Sequence, residues 1–138
     1  MLWHDTQLRV RYADTDQMGY VYYGKYAEYF EVGRVELIRH LGIPYTQIEA
    51  QGIMMPVAEL HIAYKVPARY DELLRIRSCI PESPRGSLLT TYEVYKEQGE
   101  LSATGEVRLA FIDMQRQRPV RVPDFILQAV SKHWPAGA

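Results

Sequence analysis

The spacing of apolar residues along this chain changes period twice. From Gln7 to Tyr12 apolar and polar positions alternate, with Leu8, Val10 and Tyr12 on one side, which predicts a short strand. The turn-like stretch ADTDQMG follows. From about Tyr23 to His40 the spacing becomes three or four. Tyr26, Phe30, Gly33, Leu37 and Leu41 form one stripe, while Glu28, Glu36 and Arg39 fall off it. That pattern predicts one long amphipathic helix, stopped by Gly42 and Pro44. Gly33 inside the stripe costs about 1 kcal/mol of helix propensity relative to Ala, so its presence predicts close approach of another backbone.

A short second helix or turn is expected over Tyr45 to Ala50, and the chain then returns to period two. Ala58, Leu60, Ile62, Tyr64 and Val66 alternate with polar positions. So do Leu74, Ile76, Ser78 and Ile80, and, after the turn ESPRGS, Leu88, Thr90, Tyr92 and Val94. The clearest strand carries Leu101, Ala103, Gly105, Val107, Leu109 and Phe111 on one face, with Ser102, Thr104, Glu106 and Arg108 on the other. A terminal helix is expected from Asp124 to Lys132, with Asp124 in its first turn, where negative charge is favourable. Short links between strands favour antiparallel pairing. One long helix must bury its stripe, and a curved antiparallel sheet of about five strands wrapped around it meets both needs. The expected class is α+β. An edge strand of such a sheet needs covering, which points to self-association.

Composition narrows the function classes. The 138 residues suit a single domain spanning 1–138, and 47% hydrophobic content is in the globular range. A net charge of −1 with no run of like charges argues against a dedicated nucleic-acid binder. Cys79 is the one cysteine, so no internal disulfide can form, and a reduced, cytoplasmic setting is the expectation. No stretch reaches the roughly 18 apolar residues of a membrane span, and MLWHDTQLRVRY lacks a signal-peptide core.

The candidate chemistry lies in YADTDQMGYVYYGKY. Asp14 and Asp16, two apart in an extended stretch, would share a face and could hold a cation together. They could equally be turn residues that bond their own backbone. A third reading comes from the helix that follows. The first backbone N–H groups of a helix lack partners and carry partial positive charge, so they can receive an anion or a developing oxyanion. A carboxylate beside them supplies the base or nucleophile, and the pair is the minimum equipment for ester or thioester hydrolysis. Tyr20, Tyr22, Tyr23, Tyr26 and Tyr29 either pack as core and interface residues or line an acyl or aryl pocket. Glu31 and Arg34 read as an ion pair, with Glu31 as a second catalytic carboxylate the alternative. Other chemistries find little support. There is no G-x-S-x-G elbow, P-loop or dinucleotide glycine motif. Cys79 sits in an expected strand. None of His4, His40, His61 and His133 falls in a metal-binding spacing; His40 suits a helix C-terminus, and His61 reads as an exposed or interface residue.

The pattern Y-x-D-T-D-x-x-G-x-V-Y-Y-x-x-Y followed by F-E-x-x-R resembles the 4-hydroxybenzoyl-CoA thioesterase branch of the hotdog-fold superfamily, which includes short-chain acyl-CoA thioesterases associated with the Tol-Pal system. IAYKVPARYDELLRI and the final strand running to RPVRVP continue the resemblance over nearly the whole chain. It implies a hotdog fold, a dimer as the minimal unit and often a homotetramer, with sites at subunit interfaces. It implies that Asp16 is the catalytic aspartate and that the backbone N–H of Tyr23 polarises the thioester carbonyl. Many relatives carry His where this chain has Tyr23; a backbone donor survives that change, so substrate choice is affected more than catalysis. Arg85 and Arg118 lie near positions where relatives hold the phosphates of CoA, and arginine suits that task through its forked donors. No metal or redox cofactor is implied. Acyl-carrier-protein thioesters are an alternative substrate, and a non-catalytic acyl-CoA-binding module is an alternative role. A hydratase is disfavoured, because no histidine lies between His4 and His40.

Overall fold

The computed structural model describes residues 1–135. In chain order the elements are β1 (Leu2–Arg9), α1 (Lys25–His40), α2 (Tyr45–Ala50), β2 (Ile53–Met54), β3 (Val57–Tyr64), β4 (Leu73–Ile80), β5 (Ser87–Tyr95), β6 (Leu101–Ala110), β7 (Ile112–Asp113), β8 (Arg118–Pro119) and α3 (Asp124–His133). Five strands form one sheet in the order β1-β4-β5-β6-β3, every pair antiparallel. The short β2, β7 and β8 make a separate three-stranded patch. Helix α1 lies on the inner face of the main sheet, against β1, β4 and β3. The α+β architecture with one long helix against an antiparallel sheet is the one expected.

The expected stripe is the buried face of α1: Tyr26, Phe30, Gly33 and Leu37 are buried, as is Leu41 just beyond the last turn. Phe30 stacks on Tyr92 of β5, with ring centroids 4.5 Å apart and planes at 10°. Burying side chains of this size contributes about 1.5–3 kcal/mol each. Gly105 of β6 makes room for Phe30, since a Cβ there would collide with its ring. Gly33 does permit close approach, but of side chains and not of backbone: a Cβ would meet Ser78 Oγ and come within 2.9 Å of Ile76 Cγ2, both from β4. The terminal helix packs Ile126 and Val130 into an apolar group that includes Ile38, Leu41, Ile48, Ile80 and Leu88.

The first strand departs from expectation. It runs from Leu2 to Arg9 and stops before Tyr12, which opens a short 3-10 turn (Tyr12–Asp14) and is 78% exposed. The inner face of β1 is Leu2, His4, Thr6 and Leu8, opposite Ile80, Ser78, Ile76 and Leu74. Two polar residues interrupt its apolar alternation, so hydrophobic spacing alone could not mark where it begins. Strand β3 is an edge with a ladder to β6 on one side only, and Leu60 (43%) and Tyr64 (49%) are exposed on it. An unpaired edge with apolar side chains is a surface that proteins cover.

Candidate active site

Between β1 and α1 the chain folds back on itself. Thr15 bridges Val21, the Asp16 N–H donates to the Tyr20 carbonyl at 2.8 Å, and the Tyr22 N–H donates to the Asp14 carbonyl at 2.8 Å. Gly19 closes the turn with φ of 81°, in the left-handed region that glycine enters without a Cβ penalty, and its N–H donates to the Asp16 carbonyl at 3.0 Å. The second arm bridges Arg69 through Tyr20, and the Val21 N–H donates to the Ala68 carbonyl at 2.8 Å. The hairpin is thereby fixed to the segment that leads into β4.

The two aspartates do different work. Asp14 is 2% exposed. Its Oδ1 accepts from Arg11 Nη2 at 3.0 Å, and its Oδ2 accepts from the Arg11 N–H at 3.1 Å and the Tyr29 hydroxyl at 2.9 Å. Burial alone would push this carboxyl up, but the Arg11 and Tyr29 bonds outweigh it and hold the group below the usual carboxylate range. Burial and the Asp14 charge together push the Tyr29 phenol far up. Asp16 is half-buried. Its Oδ1 accepts from the N–H groups of Met18 (3.0 Å) and Tyr20 (3.2 Å), while Oδ2 receives no hydrogen bond among the described residues. The carboxylate is therefore oriented through one oxygen and free at the other. The shared face expected for the pair does not form, because Asp14 ends a 3-10 turn instead of sitting in extended chain. No group of three or more His, Cys, Asp or Glu among the described residues is arranged to hold a metal ion.

Tyr23 comes two residues before Lys25, the first residue of α1. Its ring is 64% exposed. Neither its N–H nor that of Gly24, the helix N-cap, finds an acceptor among the described residues. The Gly24 N–H is one of the unsatisfied donors expected at a helix start, and the Tyr23 N–H lies one residue before it. In the hairpin register Tyr23 lies three residues beyond Tyr20, whose carbonyl accepts from the Asp16 N–H, and it sits in the turn that opens α1. Both groups are on one hairpin, at the same end of the sheet.

The other expected site residues are more scattered. Tyr20 carries the Arg69 guanidinium 4.8 Å above its ring. Tyr22 is exposed and leans on Tyr23, with centroids 4.6 Å apart. Tyr26 is buried, and its hydroxyl shares a 2.8 Å hydrogen bond with Ser102 Oγ, so it backs the hairpin from inside. Arg85 and Arg118 are exposed at the opposite end of the sheet. The Arg85 carbonyl accepts from the Val122 N–H at 2.7 Å in the loop after β4, and Arg118 lies in β8. The eight residues of β4 separate that end from the hairpin, about 23 Å of strand, so one chain does not bring these arginines to Asp16. Glu31 and Arg34 do not pair. Arg34 turns inward, where Nε donates to the Tyr45 hydroxyl (3.1 Å) and Nη1 to the Tyr92 hydroxyl (3.2 Å). Cys79 is buried, and His61 is exposed on the outer sheet face beside Glu59. A shallow groove on that face, lined by His61, Cys79, Thr91 and Thr104 among others, includes neither Asp16 nor Tyr23.

One residue that the periodicity left among the strand positions reaches the site. Tyr64, at the end of edge strand β3, donates its hydroxyl to the Tyr23 carbonyl at 2.9 Å. Its alternation marked a strand, but no local signal linked it to a residue 41 positions earlier.

The model of the thioesterase-like superfamily matches residues 10–130. The Bacillus subtilis protein YneP is 35% identical over 115 residues, covering 83% of each chain. The acyl-CoA thioesterase YbgC of Haemophilus influenzae is 32% identical over 117 residues, covering 84% of this chain and 85% of its own. Among solved structures, a DHNA-CoA thioesterase from Staphylococcus aureus superposes with a TM-score of 0.89 at 37% identity, covering 96% of this chain and 91% of its own. The chain belongs to the thioesterase-like superfamily, as an enzyme of the thioester-hydrolase kind built on the hotdog fold.

Proposed function

We propose that the protein hydrolyses acyl-CoA thioesters to a free acid and CoA, with Asp16 as the catalytic carboxylate and the Tyr23 backbone N–H as oxyanion donor. The observation that carries this reading is the state of the Asp16 side chain: Oδ1 is held by two backbone amides and Oδ2 is free, on the same hairpin as the unpaired Tyr23 amide. Oδ2 either takes a proton from an attacking water or adds to the carbonyl carbon itself, giving a mixed anhydride that water then opens. In both routes the carbon gains a hydroxyl, the C–S bond breaks and the departing thiolate takes up a proton. A thiolate leaves readily, so the step needs little help from a general acid. The positive end of α1 and the Tyr23 N–H stabilise charge on the carbonyl oxygen in the transition state, where such donors have their largest effect.

The CoA portion is supported by what two relatives are named for, the H. influenzae acyl-CoA thioesterase and the S. aureus DHNA-CoA thioesterase. Pairing of β3 with β3 of a second copy, antiparallel about a two-fold axis, would carry the far end of the partner's sheet toward this hairpin. The exposed Arg85 and Arg118 would then serve the phosphates of CoA bound by the neighbouring subunit. Tyr20 and Tyr22 would line the acyl group, with the buried Tyr26 supporting them. Assembly as a homodimer or homotetramer is part of this reading.

The test is thiol release from a panel of acyl-CoAs, from acetyl to palmitoyl and including benzoyl, phenylacetyl and 4-hydroxybenzoyl, for wild type and Asp16→Asn. The expected result is turnover of one group by the wild type and loss of about 100-fold or more in the folded variant. Full activity in Asp16→Asn against every substrate cleaved by the wild type would remove Asp16 from the mechanism.

A further inference from the structure

We infer that Tyr64 is a positioning residue for the oxyanion site, acting through the peptide that joins Tyr23 to Gly24; this rests on the thioesterase reading above. The Tyr64 hydroxyl donates to the Tyr23 carbonyl at 2.9 Å. That carbonyl and the Gly24 N–H belong to one planar trans peptide, so anchoring the first points the second the opposite way. The Gly24 N–H has no acceptor among the described residues, and neither does the Tyr23 N–H. Tyr64 thus sets the orientation of a second donor beside the one already assigned.

The phenol is itself held in place. Its ring meets Tyr26 edge-on, with centroids 5.4 Å apart and planes at 80°, and meets Tyr23 at 6.5 Å and 89°. Tyr26 is buried and bonded to Ser102 of β6. The chain of contacts runs from the sheet core through Tyr26 and Tyr64 to the first peptide before the helix. The Tyr22 ring lies against Gly24: a Cβ there would come within 2.8 Å of its Cε2, so the absence of a Cβ lets the ring sit that close. An oxyanion donor works because it is oriented before charge develops, and a tether from the end of β3 supplies that orientation. The position of Tyr64 at the end of edge strand β3 also links the donor's alignment to the edge at which a second copy would join.

Tyr64→Phe removes the hydroxyl and keeps the ring. On the best acyl-CoA substrate the expected result is a kcat lower by about tenfold, less than the loss from deleting a donor outright. KM should stay within about twofold, and melting temperature and light-scattering mass should match the wild type. A kcat equal to wild type overturns the inference. So does a loss of kcat that comes with a lower melting temperature or a changed mass, since Tyr64 would then act on folding or assembly. A wild type that cleaves no thioester takes down the hydrolase reading and this one together. An active wild type with an unaffected Tyr64→Phe takes down this one alone.

Discussion

The Tyr29 hydroxyl donates to Asp14 Oδ2 at 2.9 Å, joining the second turn of α1 to the residue two before the candidate catalytic carboxylate. The bond separates the roles of two aspartates that look alike in the sequence. Asp14 holds the hairpin to the helix and Asp16 presents a free oxygen.

Asp14→Ala should therefore lower stability by about 3 kcal/mol, because it leaves the Tyr29 hydroxyl and the Arg11 N–H without their acceptor. Urea unfolding at pH 7 measures this. The carboxyl is held below its ordinary value of 3.8 in the folded protein, by the Arg11 and Tyr29 bonds against the opposing effect of burial. Its contribution is then complete above 3.8 and lost as pH falls through the lower folded value. Acid unfolding of Asp14→Asn should accordingly show a shallower dependence on pH below about 4 than the wild type. Equal slopes would remove Asp14 as a source of acid sensitivity.

His4 makes a second, higher window. Its ring stacks on His40 at the end of α1, with centroids 4.5 Å apart, and His133 of α3 faces His40 at 5.9 Å. Burial and the neighbouring His40 hold the His4 imidazole below its ordinary 6.5, against the smaller raising effects of Asp5 and Glu36. The unfolded chain takes up the proton first, so stability is complete above 6.5 and declines as pH falls through the folded value. In His4→Phe the decline between about pH 7 and 5 should flatten, read from melting temperatures across that range. An unchanged profile would place the pH dependence elsewhere.

Arg34 is 6% exposed and bonded to two tyrosine hydroxyls, with no carboxylate paired to it among the described residues. Arg34→Ala should cost about 3 kcal/mol, by leaving a void and removing a donor from the Tyr45 hydroxyl and one of two partners from the Tyr92 hydroxyl. Arg34→Met should recover most of that loss, since replacing a buried charge with an apolar side chain of similar reach is often close to neutral. If Met is as damaging as Ala, the charge itself is needed.

Two glycines should respond unequally to a methyl group. At Gly33, alanine gains about 1 kcal/mol of helix propensity, which offsets part of its clash with the small Ser78 hydroxyl and with the Ile76 Cγ2 methyl. The net loss should be about 1 kcal/mol. At Gly105 the obstacle is the Phe30 ring, which is stacked on Tyr92 and has nowhere to go. That change should cost about 3 kcal/mol. Chemical denaturation of both variants checks the order, and a Gly33→Ala more damaging than Gly105→Ala would reverse this account of the packing.

Hydrophobic spacing by itself determined the long helix, its buried stripe and β4 to β6. In each of these, one face is apolar at the period of its own backbone, so burial and local geometry give the same answer. It placed Asp16 in a turn just before a helix start, which is where the candidate site lies. What it could not determine depends on contacts between distant segments. The start of β1 rests on pairing with β4, because His4 and Thr6 hide its apolar face. Which aspartate points inward depends on Tyr29, 15 residues away, and the partners of Arg34 are 11 and 58 residues away, whereas Glu31 is only three. The anchor of the Tyr23 carbonyl comes from the end of an edge strand. Side-chain period reports which face of an element is buried; the hydrogen-bond partner of a polar group is decided only when the tertiary fold brings two remote backbones together.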